Sequence, residues 1–201
     1  YQLEVTNPGG HSSAPRPLNA ITQMSQALDR IGAYRFKPEL SPLTKEYFEK
    51  AAQFESDPKL AAAMRAFAAN PNDAAALAVL RANPAYVGKV GTTCVATMIH
   101  GGHAQNALPQ RVTANVNCRV FPGHTREEIR DELARVVGDD AVKITDVSGN
   151  DTTMSPASPM RADFVGAVAK AIGKPYPGIA IVPSMATASK KPPAPAWAMP
   201  S

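Results

Sequence analysis

The chain has 201 residues, of which 44% are hydrophobic and 19% charged, with a formal net charge of +4. These are the proportions of a globular protein with a core, and no apolar run reaches the roughly 18 residues of a membrane-spanning helix. The excess charge lies in residues 161–201, where Arg161, Lys170, Lys174, Lys190 and Lys191 face only Asp163. Residues 1–160 are balanced, so no basic stripe for nucleic acid is expected on the folded surface.

The chain opens on an alternating segment, Gln2 to Thr6, with no initiator Met and no leader. It reads as a strand at the start of a piece cut from a longer protein, with any targeting segment outside it. Asn7-Pro8-Gly9-Gly10 stops the strand. A polar loop follows, His11-Ser12-Ser13-Ala14-Pro15-Arg16-Pro17, stiffened by its prolines. Asn19 caps a predicted helix running to about Tyr34, with Ile21, Met24, Leu28 and Ile31 on one face. Residues 37–88 are rich in Ala. Three helix-start signals precede apolar positions at helical spacing: Ser41-Pro42, Asp57-Pro58 and Asn70-Pro71-Asn72-Asp73. They predict a helical insert of two or three short helices.

The β-branched run 90–99 predicts a second strand. Gly101-Gly102 breaks it, and Asn106 to Pro109 reads as a turn. In 111–121, Val112, Ala114, Val116, Cys118 and Val120 alternate with Thr113, Asn115, Asn117 and Arg119. That is a strand with one buried and one polar face. Thr125-Arg126-Glu127-Glu128 is a capping box opening a helix that carries Ile129, Leu133, Val136 and Val137 and stops at Gly138. Residues 141–147 give a fourth strand. The order β-α-(insert)-β-β-α-β is the split βαβ pattern. The expected fold class is α+β: a ferredoxin-like, four-stranded antiparallel sheet with two helices on one face and an all-helical insert. Ser155 to Pro159 then begin a helix containing Phe164, Val165, Val168 and Ile172, followed by a strand-like run at 179–182. One helix and one strand cannot bury a core alone. The expected organisation is therefore 1–150 as the main domain with its insert at 37–88, 151–188 as the stub of a second domain, and 189–201 as a proline-rich disordered tail.

Cys94 and Cys118 both lie in apolar strand-like runs, and they read as two buried free thiols rather than a disulfide. There is no G-x-S-x-G elbow and no phosphate-cradling glycine loop. His100 and His103 have possible ligand spacing, but no acidic residue lies between 91 and 126. They read as polar loop histidines, and His124 as a solvated one. His11 is set apart by the two glycines before it and the prolines behind it. A backbone can approach another body there, and the imidazole has a fixed direction. It reads either as an exposed loop histidine or as a functional one. Asn106 and Arg119 supply an amide and a guanidinium suited to a carboxylate, unless Arg119 only solvates the open sheet face.

Four motifs stand in order: Gly9-Gly10-His11-Ser12-Ser13-Ala14-Pro15; Asn19-Ala20-Ile21; Gly101-Gly102 with Asn106-Ala107-Leu108-Pro109; and Asn117-Cys118-Arg119-Val120-Phe121-Pro122-Gly123 with Thr125-Arg126-Glu127-Glu128. Together they resemble the lid, or dimerisation, domain of zinc metallopeptidase family twenty, a family of aminoacylases, glutamate carboxypeptidases, dipeptidases and desuccinylases. The long insert looks most like the Gly-X carboxypeptidase branch.

The resemblance implies a homodimer joined through the lid, acting on a peptide or N-acyl amino acid, with two zinc ions in the intact enzyme. It implies that His11 reaches the partner subunit's active site and stabilises the oxyanion, and that Asn106 and Arg119 hold the substrate carboxylate. The family's zinc ligands and catalytic glutamate lie before and after the lid, outside this chain. The chain alone is therefore expected to bind no metal and to be inactive. The family usually continues after Pro183-Ser184-Met185-Ala186-Thr187 with Gly and an acidic residue, where this chain has Ala188-Ser189-Lys190-Lys191-Pro192. The alternative reading is a non-catalytic split βαβ module that dimerises or binds a small molecule.

Overall fold

A computed structural model describes residues 1–149, 159 and 161–185. Its elements are β1 (Gln2–Thr6), β2 (Gly10–His11), α1 (Ala20–Ala33), α2 (Pro42–Ala51), α3 (Pro58–Ala69), α4 (Ala74–Ala82), β3 (Thr93–Gly101), β4 (Ala107–Leu108), β5 (Arg111–Arg119), α5 (Arg126–Val137), β6 (Lys143–Thr145) and α6 (Ala162–Gly173), with a 3₁₀ turn at Val87–Lys89.

The main sheet has the order β3-β5-β1-β6, every neighbouring pair antiparallel. This is the expected split βαβ sheet. On β5, Val112, Ala114 and Val116 are buried, whereas Arg111, Asn117 and Arg119 are exposed. The buried set faces α1 and α5. Met24 and Ile31 from one helix, and Leu133 and Val137 from the other, close over Leu3, Val5, Val112 and Val116. Each such fully buried aliphatic side chain contributes about 1.5–3 kcal/mol over leaving it in water. The helices begin where the sequence places them. Asn19 Oδ1 accepts the N–H groups of Ile21 and Thr22, and Thr125 and Glu128 cap each other reciprocally.

The insert folds as three helices, α2 to α4, capped by Ser41, Asp57 and Asp73 with Pro42 and Pro58 at the first helical positions. It has its own core of Phe48, Met64, Phe67 and Leu80. The rings of Phe48 and Phe67 meet edge to face with centroids 5.1 Å apart. Its two ends are tied together at the neck, where Glu39 N–H donates to Val90 O at 3.0 Å. Val90 is thereby drawn into the insert core, so β3 starts at Thr93 rather than at residue 90.

Three expectations are corrected. Cys94 and Cys118 are not free thiols; they form a disulfide. They lie directly opposite one another on β3 and β5, with Cα atoms 4.1 Å apart, as in a close, non-hydrogen-bonded pair. Residues 179–182 form no strand, because nothing in the described residues offers them a ladder. The segment 106–109 is more than a turn, since Ala107–Leu108 pairs with Gly10–His11 as a separate two-stranded ribbon. Helix α6 is in place but starts at Ala162 and buries none of its residues. The proposed start at Ser155, and the tail 189–201, lie outside the described residues.

Candidate functional site

The ribbon prolongs the central strand pair beyond the sheet. Thr6 pairs with Arg111 at the last rung, and Asn7 N–H donates to Gln110 O at 2.8 Å. Gly10 then faces Leu108, and His11 faces Ala107. Glycine makes this path possible. Gly9 has φ +75°, and a Cβ there would stand 2.7 Å from Gln110 Cγ and 3.2 Å from Leu108 O. An L side chain there would be strained by the backbone and would have to push the Gln110 side chain aside. Arg16 Nε closes the loop from the other side by donating to Gly9 O at 3.1 Å.

His11 and Asn106 meet at the ribbon's tip, and both are exposed. Ser12 N–H donates to Asn106 O at 2.8 Å, which fixes the two backbones side by side. Asn106 Nδ2 lies 3.4 Å from His11 Nε2. A half-turn of that amide exchanges its nitrogen and oxygen, so the amide can offer the ring either a donor or an acceptor. On the other side of the ring, Ser13 Oγ is 2.7 Å from Nδ1, and Ser13 N–H donates to Nδ1 at 3.2 Å.

Arg119 stands at the opposite end of β5, exposed on the helix-free face and opposite Thr93. Nine residues separate the ends of β5 inclusively, a span of about 27 Å at strand rise, and the ribbon begins beyond the far end. The structure thus brings His11 and Asn106 together and leaves Arg119 apart from both within one chain. The Arg119 end is firmly held. The disulfide sits one residue before it, the buried Phe121 N–H donates to Thr92 Oγ1 at 2.9 Å, and His124 Nε2 lies 2.7 Å from Glu39 Oε2. His124 is therefore a link between the insert's neck and the main domain rather than a solvated loop residue. Its hydrogen bond to the Glu39 carboxylate raises its pKa above the ordinary value, against a smaller opposing effect of burial.

His100 lies on β3 opposite Thr113, and His103 lies in the following loop, both exposed. Among the described residues, no group of three or more His, Cys, Asp or Glu side chains could hold a metal ion. Among the described residues the outer side of β3 is an open edge, with Val95 61%, Met98 55% and Ile99 52% exposed. No helix among the described residues is long and apolar enough to cross a membrane. Two features escaped the sequence reading: Ser13 as the partner of His11, and the pairing of the cysteines. Only the first left a signal, a hydroxyl two residues after the histidine in a loop already stiffened by proline.

Comparison with known proteins bears on this arrangement. Residues 1–145 match the family model M20_dimer, described as peptidase dimerisation domain. The chain is 28% identical over 188 residues to probable carboxypeptidase S-like 2 of Dictyostelium discoideum, covering 94% of this chain and 35% of that protein. It is 29% identical over 145 residues to the N-fatty-acyl-amino acid synthase/hydrolase PM20D1 of Mus musculus, covering 71% of this chain and 28% of that protein. The chain thus spans about a third of the length of these relatives. Among solved structures it resembles the M20 family metallo-carboxypeptidase Sso-CP2 from Sulfolobus solfataricus, with TM-score 0.41 and 14% identity over 68% of this chain and 38% of that one.

Proposed function

The chain belongs to the M20 peptidase dimerisation-domain family, and from that premise we propose that it is the lid of a zinc-dependent amidohydrolase whose substrate site is completed across two subunits. The substrate class is a peptide or an N-acyl amino acid, both of which carry an amide and a carboxylate on the same residue. In the proposal, His11 serves the amide. Its Nε2 donates to the carbonyl oxygen as negative charge develops there. Asn106 of that same subunit and Arg119 of the other serve the carboxylate.

The observation that carries this reading is the separation of His11 and Asn106 from Arg119. A two-residue substrate spans about 7 Å, far less than the roughly 27 Å length of β5. One chain cannot present both ends to it. The open β3 edge offers a remedy. Two copies paired along β3 about a two-fold axis run antiparallel, which puts the His11 end of one subunit at the same end of the joined sheet as the Arg119 end of the other, so that long side chains and substrate together have less to span. An exposed apolar edge is a liability that such pairing removes. The described residues offer no fit for the zinc ions, whose ligands we place in sequence outside this chain. Metal analysis of the purified chain is expected to find no stoichiometric zinc, and an amide-hydrolysis assay no turnover.

The roles separate kinetically in the longer enzyme that contains this chain. His11→Ala should lower kcat by about a hundred- to thousandfold, about 3–4 kcal/mol, with little change in KM. Arg119→Ala should instead raise KM, because the carboxylate is charged before and during the reaction. If His11→Ala changed KM alone, the oxyanion role would be wrong.

A further inference from the structure

We propose that Ser13 is the positioning residue that sets the tautomer of His11, holding Nδ1 free of a proton so that Nε2 carries the N–H. The inference rests on the reading of His11 as an oxyanion donor, and it supplies what that reading lacks, a reason why the outward nitrogen is the protonated one.

The argument starts from the turn. Ala14 N–H donates to His11 O at 3.0 Å, so residues 11–14 form a hydrogen-bonded β-turn. His11 occupies its first position, where Asp or Asn commonly accepts the N–H two residues on through the side chain. Here the imidazole does the same. Ser13 N–H donates to Nδ1 at 3.2 Å. A backbone N–H can only donate, so Nδ1 must present its lone pair. The Ser13 hydroxyl, closer at 2.7 Å, can rotate to donate to the same nitrogen. Since a neutral imidazole has one N–H, both contacts place it on Nε2. That nitrogen points to Asn106, whose amide can turn its oxygen to accept from it until a substrate oxygen takes its place. The NH₂ group of Asn106 is then left for a second acceptor. Without the Ser13 hydroxyl only the longer backbone contact restrains the neutral imidazole, and the tautomer that offers no donor at Nε2 gains population.

Long-range ¹H–¹⁵N spectra of the ¹⁵N-labelled chain at pH 9 test this directly. The chain has four histidines, and His11→Ala assigns the relevant one. The expected result is a fully unprotonated Nδ1 and a fully protonated Nε2 for His11. Ser13→Ala removes the closer hydroxyl and keeps the backbone N–H, so it should move both nitrogens part of the way toward the averaged positions of an unrestrained ring, and Ser13→Thr should restore the original pattern. In the longer enzyme, Ser13→Ala should lower kcat by about two- to tenfold at unchanged KM, the effect of losing one ordinary hydrogen bond, and Ser13→Thr should recover it. A proton on Nδ1 in the unmodified chain, or a His11 pattern unaltered by Ser13→Ala, would overturn the proposal. If the spectra behave as expected but His11→Ala leaves kcat intact, the positioning by Ser13 stands and the oxyanion reading falls.

Discussion

The two ends of the sheet are built on opposite principles. At the His11 end, two strands of two residues each run out past the core. Gly9 permits their path, and the side chains of His11 and Asn106 stand in solvent. At the Arg119 end, a disulfide, the buried Thr92–Phe121 hydrogen bond and the His124–Glu39 link tie together β3, β5, α5 and the neck of the insert. The difference teaches a division of labour. Under the proposed function, a group that enters another subunit's site would gain from standing clear of its own core, whereas a guanidinium that holds a charged group would gain from a fixed base.

Removing the disulfide should have the largest effect on stability and should weaken only one end. Replacing both Cys94 and Cys118 with Ala, or reducing them with a dithiol, is expected to cost about 2–4 kcal/mol, read as a lower denaturant midpoint. Amide exchange should accelerate around Thr93 and Arg119 and stay unchanged at Gly10 and Leu108. Equal loosening at both ends would erase the distinction between them. Gly9→Val attacks the other end. A side chain at φ +75° and 2.7 Å from Gln110 Cγ should cost about 1–3 kcal/mol. In the longer enzyme it should lower kcat as His11→Ala does, while the exchange pattern around Arg119 is preserved. An active Gly9→Val enzyme would show that the ribbon is dispensable.

The smallest effect concerns the latch at the neck. Its contribution is present in full below the ordinary histidine value of 6.5 and is lost as pH rises through the raised folded value of His124. Because the pair is partly exposed, the loss should be under about 1 kcal/mol. Denaturant midpoints measured between pH 6 and pH 9 should fall more for the unmodified chain than for His124→Gln. Parallel curves would mean that the link contributes nothing.

The framework was legible in the sequence because it repeats a period. The alternation along β5, the capping box at Thr125 and the three capped starts of the insert each combine a pattern with a stop signal. The ribbon has no period to read. Two-residue strands carry none, and its partners, His11 and Asn106, are 95 positions apart. The disulfide was hidden by one residue. Counting back from the Gly101–Val112 rung places Cys94 opposite Arg119, but the irregularity between Ala96 and Met98 shifts the register and brings Cys94 opposite Cys118. Asn106 and Arg119 were paired by their chemistry, as an amide and a guanidinium suited to a carboxylate, across an interval of thirteen positions. Most of that interval is extended strand, which carries them apart.

Mixing two singly defective forms of the longer enzyme, His11→Ala and Arg119→Ala, tests the shared site most directly. Each is expected to be weak at low substrate concentration. After subunit exchange, the hybrid dimer holds one site lacking both groups and one site with both, since the intact His11 and the intact Arg119 come from different chains. With half of the dimers hybrid and one of their two sites repaired, about a quarter of the unmodified activity should return. If both groups served a site from the same chain, no site in any dimer would be whole, and an absence of recovery after demonstrated exchange would contradict the account.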